Sequence, residues 1–238
     1  MFAISGGIFD ISLNNKPIRT NKAYIAKDGD ILSIKSAKQG LRCYLAVTGG
    51  FDVPLFMGSA ATNLKIKVGG FNGRKLKAGD ILKIGKADKI KNIEKRELPE
   101  NTYNNPVKVR VVLGPQDDMF SENDLLLFSN QQYTVTSDLD RMGIRLWGIA
   151  LRGKEKLEII SDAITFGSIQ ITNSGMPIIL MADHQTTGGY AKIATVISAD
   201  LPKLAQVKPK DKISFEIIDI DIAEKIAIKQ KKHIDKLF

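Results

Sequence analysis

Met176–Ile197 reads MPIILMADHQTTGGYAKIATVI. Its two ends, MPIILMA (Met176–Ala182) and IATVI (Ile193–Ile197), have the composition of buried strands. A connection between strands needs only a couple of turn residues. This one carries an acid, a histidine, a glutamine, two threonines, a glycine pair, a tyrosine and a lysine. So many hydrogen-bonding groups, beside glycines that admit a close neighbour, make either a well-bonded loop or a binding loop.

Outward from this stretch the chain reads as mainly β. Apolar alternation marks DILSIKS (Asp30–Ser36), CYLAV (Cys43–Val47), DILKIGK (Asp80–Lys86), VKVRVVLG (Val107–Gly114), QYTVTS (Gln132–Ser137) and KISFEII (Lys212–Ile218). KDGDILSI (Lys27–Ile34) returns as KAGDILKI (Lys77–Ile84), and PKDKISFEI (Pro209–Ile217) echoes it weakly, each turn feeding a strand. Helical patterns are few. Ser121–Leu127 has a capping serine and acids in its first turn. Asp200–Gln206 places Asp200 as cap and Pro202 in the first turn. Asp221–Phe238 puts Ala223, Ile226, Ala227, Ile234 and Leu237 on one side of an amphipathic helix, to pack on this protein or a partner. Ala87–Asn105 is charged and aperiodic and is expected to link two β-rich domains, 1–86 and 106–220, with a C-terminal helix over 221–238.

Composition removes several function classes. With 238 residues, 43% of them hydrophobic and 26% charged, the chain can bury a real core. It holds no apolar run long enough to span a membrane and opens without a signal-peptide pattern, so the cytoplasm is the expected compartment. One cysteine, Cys43, excludes a disulfide framework, and two isolated histidines make no metal site. The net charge of +9 comes from singly scattered lysines without arginine–aromatic interleaving, which describes a solvated surface rather than a nucleic-acid interface.

The candidate site residues cluster around the opening stretch. Arg141, in DLDRMGIRLWG, either pairs with Asp140 at the surface or offers a guanidinium to a carboxylate or phosphate. Asp183, emerging from the apolar run, is a base or a turn acid capping Gln185 and Thr186. His184 beside it suits an anion contact or proton shuttling. Gln170, inside the apolar strand GSIQI, carries an amide that fits a lactam or ureido group or is a satisfied core glutamine. Thr186, Thr187, Gly188 and Gly189 offer hydroxyls and amides for an anion nest, with Tyr190 and Lys192 closing over it, unless Lys192 is a solvent-facing strand residue. A second glycine-rich turn, Gly69–Lys75, lacks the P-loop pattern and reads as structural.

Six ordered blocks carry a resemblance to a known family. They are CYLAVTGGFDVPLFMGS (Cys43–Ser59), VGGFNGRKLKAGD (Val68–Asp80), GPQDDMF (Gly114–Phe120), YTVTSDLDRMGIRLWG (Tyr133–Gly148), FGSIQI (Phe166–Ile171) and DHQTTGGYAKIATVI with its sequel ADLPKLAQ (Ala199–Gln206). Together they resemble the family of the 5-oxoprolinase C subunit, also called the KipA or allophanate-hydrolase subunit 2 family and related to the carboxyltransferase part of urea carboxylase. Against the usual family wording, His184 replaces an arginine, Ser59–Thr62 reads SAAT, and a preceding N-terminal segment is expected to be missing. The resemblance implies a cyclophilin-like β-barrel for the second domain. It also implies one component of an ATP-dependent 5-oxoprolinase, acting with a KipI-like B subunit and an A subunit and inactive alone. Arg141 and Thr186–Gly189 would then hold anionic groups, and Gln170 and Asp183 the lactam. A biotin-dependent carboxyltransferase module, with biotin only in that case, and a non-enzymatic KipA-like regulator of a KipI-like kinase inhibitor are the alternatives.

Overall fold

The computed structural model describes residues 1–87 and 91–237, which fall into two compact units, Met1–Asn101 and Thr102–Phe238. In the first, β1 (Phe2–Leu13) is paired antiparallel with β2 (Lys16–Pro17), β3 (Ala23–Tyr24) and the long β4 (Leu32–Val47). Its small core holds Phe2, Ile4 and Ile11, with Phe9, Tyr24, Leu45 and Val47 packed around them. Of the stretch expected as a linker, 88–90 lie outside the described residues. Residues further on bond to this unit: Ala23 N donates to Arg96 O at 3.0 Å, and Leu98 N to Asn21 O at 2.8 Å.

One repeated turn organises both units. In Lys27–Asp30 and Lys77–Asp80 the aspartate carboxylate accepts from the lysine amide at 2.8 and 2.7 Å, and the aspartate amide donates back to the lysine carbonyl at 3.1 Å in each. Lys208–Asp211 makes the same pair at 3.0 and 3.1 Å. The third residue is left-handed every time: Gly29 at φ 82°, Gly79 at 85° and Lys210 at 77°. Glycine adopts that conformation at no steric cost and lysine does not. The first and third turns feed paired strands. The second does not: Asp80–Lys86, expected as a strand, makes only an isolated bridge from Ile84 to Phe51, and Ile81 stands 84% exposed. Alternation alone does not make a strand where no partner ladder is laid beside it.

The second unit is a closed barrel. Its staves are β5 (Val107–Leu113), β6 (Tyr133–Leu139), β7 (Gly143–Trp147), β9 (Ser168–Ile171), β10 (Pro177–Leu180), β12 (Lys192–Val196) and β13 (Lys212–Ile217), in the order β10-β7-β6-β13-β5-β12-β9. A separate two-stranded ribbon joins β8 (Glu158–Ala163) to β11 (Thr187–Tyr190). The expected mainly β architecture, with a barrel in the second half, is what the chain adopts. Val109, Val111, Tyr133, Val135, Ile144, Ile169, Ile171, Ile179, Ile193 and Phe215 are core residues with almost no exposure.

Three helices serve the barrel. α1 (Glu122–Asn130) has the expected serine cap: Ser121 Oγ accepts from Asp124 N at 3.1 Å, and the Asp124 carboxylate accepts in return from Ser121 N. It lays Phe128 on Phe215, the stacked rings 4.6 Å apart. α2 (Leu201–Leu204) follows Asp200, but that carboxylate does not cap it. Asp200 is instead buried and accepts from Arg110 N, Nε and Nη2 at 2.8, 2.9 and 2.6 Å, a stronger offer than an exposed helix end makes. α3 (Ile220–Asp235) buries Ala223 and half-buries Ile226 and Ala227, whereas Ile234 and Leu237 of the expected apolar side are exposed. No helix among the described residues is long and apolar enough to cross a membrane.

Candidate functional site

Two turns at one end of the barrel are laced together by backbone. Asp140, expected as a possible partner of Arg141, turns its carboxylate to the amides of Met142 and Gly143 at 2.7 and 3.1 Å. That fixes the bend between β6 and β7. Met181 N then donates to Met142 O at 2.9 Å and Asp183 N to Arg141 O at 2.7 Å. Side chains follow: Arg141 Nε and Nη2 each reach one oxygen of Asp183 at 2.8 Å, a bidentate pair 70% and 45% exposed. Both catalytic candidates thus meet, each fixed by the other. His184 Nδ1 lies 2.6 Å from Gln185 O. A carbonyl only accepts, so Nδ1 carries the hydrogen.

The second cluster lies between the barrel wall and the β8–β11 ribbon. Lys192 and Gln170 are paired across β12 and β9, and antiparallel partners point to the same side. Both are 2% exposed. Lys192 is therefore no solvent-facing strand residue: the ribbon covers its side of the sheet. Lys192 Nζ donates to Asp162 Oδ2 at 2.7 Å, and Gln116 Nε2 approaches the same oxygen at 3.4 Å. Gln116 Oε1 in turn takes the Lys192 amide at 3.2 Å, and Ala163 N donates to Asp162 Oδ1 at 2.7 Å. The Lys192 hydrogen bond foremost, then the Ala163 amide, holds the Asp162 carboxyl below the usual carboxylate range.

Gln170 Nε2 donates to Tyr190 O at 3.2 Å, and its Oε1 has no hydrogen-bond partner among the described residues. Two glycines make this layer possible. A Cβ on Gly188 would meet Ile164 Cδ1 at 2.6 Å and Gln170 Nε2 at 2.8 Å, with Gln185 Nε2 at 3.5 Å. A Cβ on Gly114 would meet Lys192 O at 2.2 Å. Gln185 thus reaches from the loop of the first cluster into the second.

The anion nest expected of Thr186–Gly189 is not there. Thr187, Gly188 and Tyr190 pair with β8 as an extended strand, and Thr186 O accepts from Ile164 N at 3.0 Å. A nest needs successive amides turned to one side, which a pleated strand does not provide. Thr186 and Thr187 are exposed, and Gly189 and Tyr190 half-buried. In the Gly69–Lys75 turn, Arg74 is held bidentate by Asp80 at 2.7 and 2.8 Å and lies over the Phe71 ring. This turn is a structural brace. No cluster of three or more His, Cys, Asp or Glu suited to a metal occurs among the described residues.

Sequence reasoning misses Gln116 and Asp162. Gln116 sits in GPQDDMF, where nothing but its place in a family block singles it out, and Asp162 in the featureless SDA.

The second unit is thus a closed barrel with a covered polar layer and a bidentate ion pair at one end, and the comparisons with known proteins give the family. Residues 1–217 match the family model of the carboxyltransferase domain, subdomain A and B. The C subunit of 5-oxoprolinase from Haemophilus influenzae is 38% identical over 238 residues, 99% of this chain and 75% of that protein. Its Escherichia coli counterpart is 36% identical, with the same two coverages. The crystal structure of K. lactis urea amidolyase superposes with a TM-score of 0.88 at 29% identity over 100% of this chain, which spans 16% of that chain. This chain belongs to the carboxyltransferase domain, subdomain A and B, family. α3 lies beyond the matched residues.

Proposed function

We propose that the chain is one component of an ATP-dependent 5-oxoprolinase, opening the lactam of 5-oxoproline to glutamate together with a KipI-like B subunit and an A subunit. The supporting observation is how the relatives match. The C subunits named for this activity align over 75% of their own length, whereas urea amidolyase aligns as a 16% segment of a larger enzyme.

The chemistry asks for three things of a protein. A lactam carbonyl is a poor electrophile, so its oxygen must be converted to a leaving group; the amide must be oriented; and the substrate carboxylate must be held. Gln170 suits the second task, because an amide pairs with the carbonyl and N–H of a lactam. Lys192 supplies a buried cation for the third. Arg141, oriented by its bidentate pair with Asp183, would meet an anionic group only by sharing or exchanging that partner. Neither glycine-rich segment is a triphosphate cradle: one is an extended strand and the other has its arginine bound to Asp80. In this reading ATP is used by the assembled complex.

A biotin-dependent carboxyltransferase module of the urea carboxylase type is the second reading, favoured by the TM-score of 0.88 over the whole chain. Glutamate release from 5-oxoproline and ATP, with the partner subunits mixed in, separates the two. Release that disappears when this chain is omitted, or carries Asp183→Ala, supports the oxoprolinase. A complete complex that releases none, yet carboxylates an acceptor when given carboxybiotin, moves the assignment to carboxyl transfer.

A further inference from the structure

We propose that Asp162 is a built-in stand-in for the carboxylate of a small amide-bearing acid, which displaces it from Lys192 and releases the β8–β11 ribbon. This rests on the oxoprolinase reading and names how the substrate's acid group is held.

The argument starts from the cost of burying a lysine. An ammonium taken out of water needs a matched anion and further hydrogen bonds to break even. Lys192 is 3% exposed in its side chain and has one anionic partner among the described residues, Asp162, itself 49% exposed. That partner comes from the ribbon, not the barrel. β8 is exposed along most of its length, and Ile160 near Asp162 is 94% exposed. The cation is thus built into the barrel wall and its counter-ion into a ribbon strand that is exposed along most of its length.

Besides the amide of Ala163 on its own strand, the contacts around the Asp162 carboxylate are those a free carboxylate would use. Lys192 Nζ and Gln116 Nε2 converge on one oxygen, and both belong to the barrel side, Gln116 being bonded through Oε1 to the Lys192 amide. If Asp162 leaves with its strand, these two donors stay in place. Gln170 is the cross-strand neighbour of Lys192 and has Oε1 available for an N–H. A carboxylate on Lys192 and Gln116, with an amide N–H on Gln170, is one small molecule carrying both groups. The exchange swaps one carboxylate for another, so the buried charge stays neutralised in both states.

The test uses the full chain and three probes: 5-oxoproline, 2-pyrrolidinone (the same lactam without the acid) and acetate. Affinities come from calorimetry, and ribbon opening from hydrogen exchange at residues 158–163. A receptor blocked by its own aspartate nine-tenths of the time loses about tenfold in affinity. Asp162→Asn is therefore expected to bind 5-oxoproline about tenfold more tightly and to leave 2-pyrrolidinone unchanged, and saturating carboxylate to deprotect the wild-type ribbon. Lys192→Gln should erase the difference between the acid and the lactam, with exchange elsewhere in the barrel as the folding control. In the assembled enzyme Asp162→Asn should lower KM, which a purely structural latch would not do. An unchanged or weaker affinity in Asp162→Asn, or a ribbon still protected under carboxylate, overturns the proposal even if glutamate release succeeds. Deprotection by acetate in a complex that releases no glutamate keeps the carboxylate receptor and removes only the oxoprolinase assignment.

Discussion

Arg141 and Asp183 are joined twice, by two parallel side-chain hydrogen bonds of 2.8 Å and by a backbone bond of 2.7 Å from Asp183 N to Arg141 O. The backbone bond holds the turns whether or not the side chains meet. The side-chain pair is therefore expected to add little to folding.

Asp183→Ala and Arg141→Lys test that separation. An exposed ion pair contributes about 1 kcal/mol or less, so denaturant midpoints should move little. Glutamate release by the assembled complex should fall at least about a hundredfold in Asp183→Ala, the scale of a lost acid–base or orienting group. Arg141→Lys should be nearly as inactive, because lysine keeps the charge but not the planar fork. Equal losses of stability and activity would count against the assignment.

Asp200 makes the opposite prediction. Burial pushes its carboxyl up, but hydrogen bonds from Arg110 and Lys203 together outweigh that and hold it below the usual range. Asp200→Ala strands a partly buried guanidinium and should cost about 3–5 kcal/mol in chemical denaturation. A loss below about 1 kcal/mol would mean that the brace is not structural.

Two glycine-to-alanine changes should diverge. At Gly114 the new methyl meets the backbone carbonyl of Lys192, which has nowhere to go, and stability should fall by about 1–3 kcal/mol. At Gly188 it meets the far ends of two side chains, Ile164 Cδ1 at 2.6 Å and Gln170 Nε2 at 2.8 Å, rather than backbone. Gly188→Ala should unfold at nearly the wild-type denaturant concentration and still lose substrate affinity, because Gln170 is displaced. Melts and binding measured on both variants give the comparison.

Lys210 occupies the left-handed position that glycine fills in the two sister turns. Lys210→Gly removes about 1–2 kcal/mol of strain against about 0.5–1 kcal/mol of added chain entropy. A net gain of up to about 1 kcal/mol is expected in the thermal melt, and a loss would show that the Lys210 side chain is needed elsewhere.

Acid should weaken both units. The Arg74 hydrogen bond first, and the Lys77 amide next, hold Asp80 down to about 2, and Asp162 is lowered in the same sense by Lys192. A carboxyl depressed in the folded state stabilises it above the unfolded value of about 3.9, and that contribution disappears as pH falls through the folded value. Stability measured from about pH 5 to about pH 2 should therefore decline, and Asp80→Asn should flatten the decline. Identical slopes with and without Asp80 would refute this.

The barrel is legible in the sequence because its staves alternate: Val109 and Val111, Tyr133 and Val135, Ile213 and Phe215 face one core. The Lys-x-x-Asp turn is legible too, even in its weak third copy. Asp80–Lys86 misleads because pairing depends on a second strand that its own residues do not encode. Gln170 stands out as an amide inside an apolar strand. The burial of Lys192 is hidden, because the ribbon that covers it comes from Glu158–Ala163, whose adjacent isoleucines show no alternation, and Asp162 and Gln116 lie in stretches that do not single them out. Each is an ordinary polar residue until the fold brings it to the lysine.

The barrel closes between its earliest and latest parts. β13 lies between β5 and β6, parallel to the first and antiparallel to the second. A ribosome making this chain delivers six staves before the seventh, and until then the sheet keeps two raw edges facing each other. Such edges invite any neighbouring strand. Growing chains are therefore expected to be most prone to clump in the interval before Lys212–Ile217 joins the sheet, and a chaperone that shields strand edges would serve this protein chiefly in that interval.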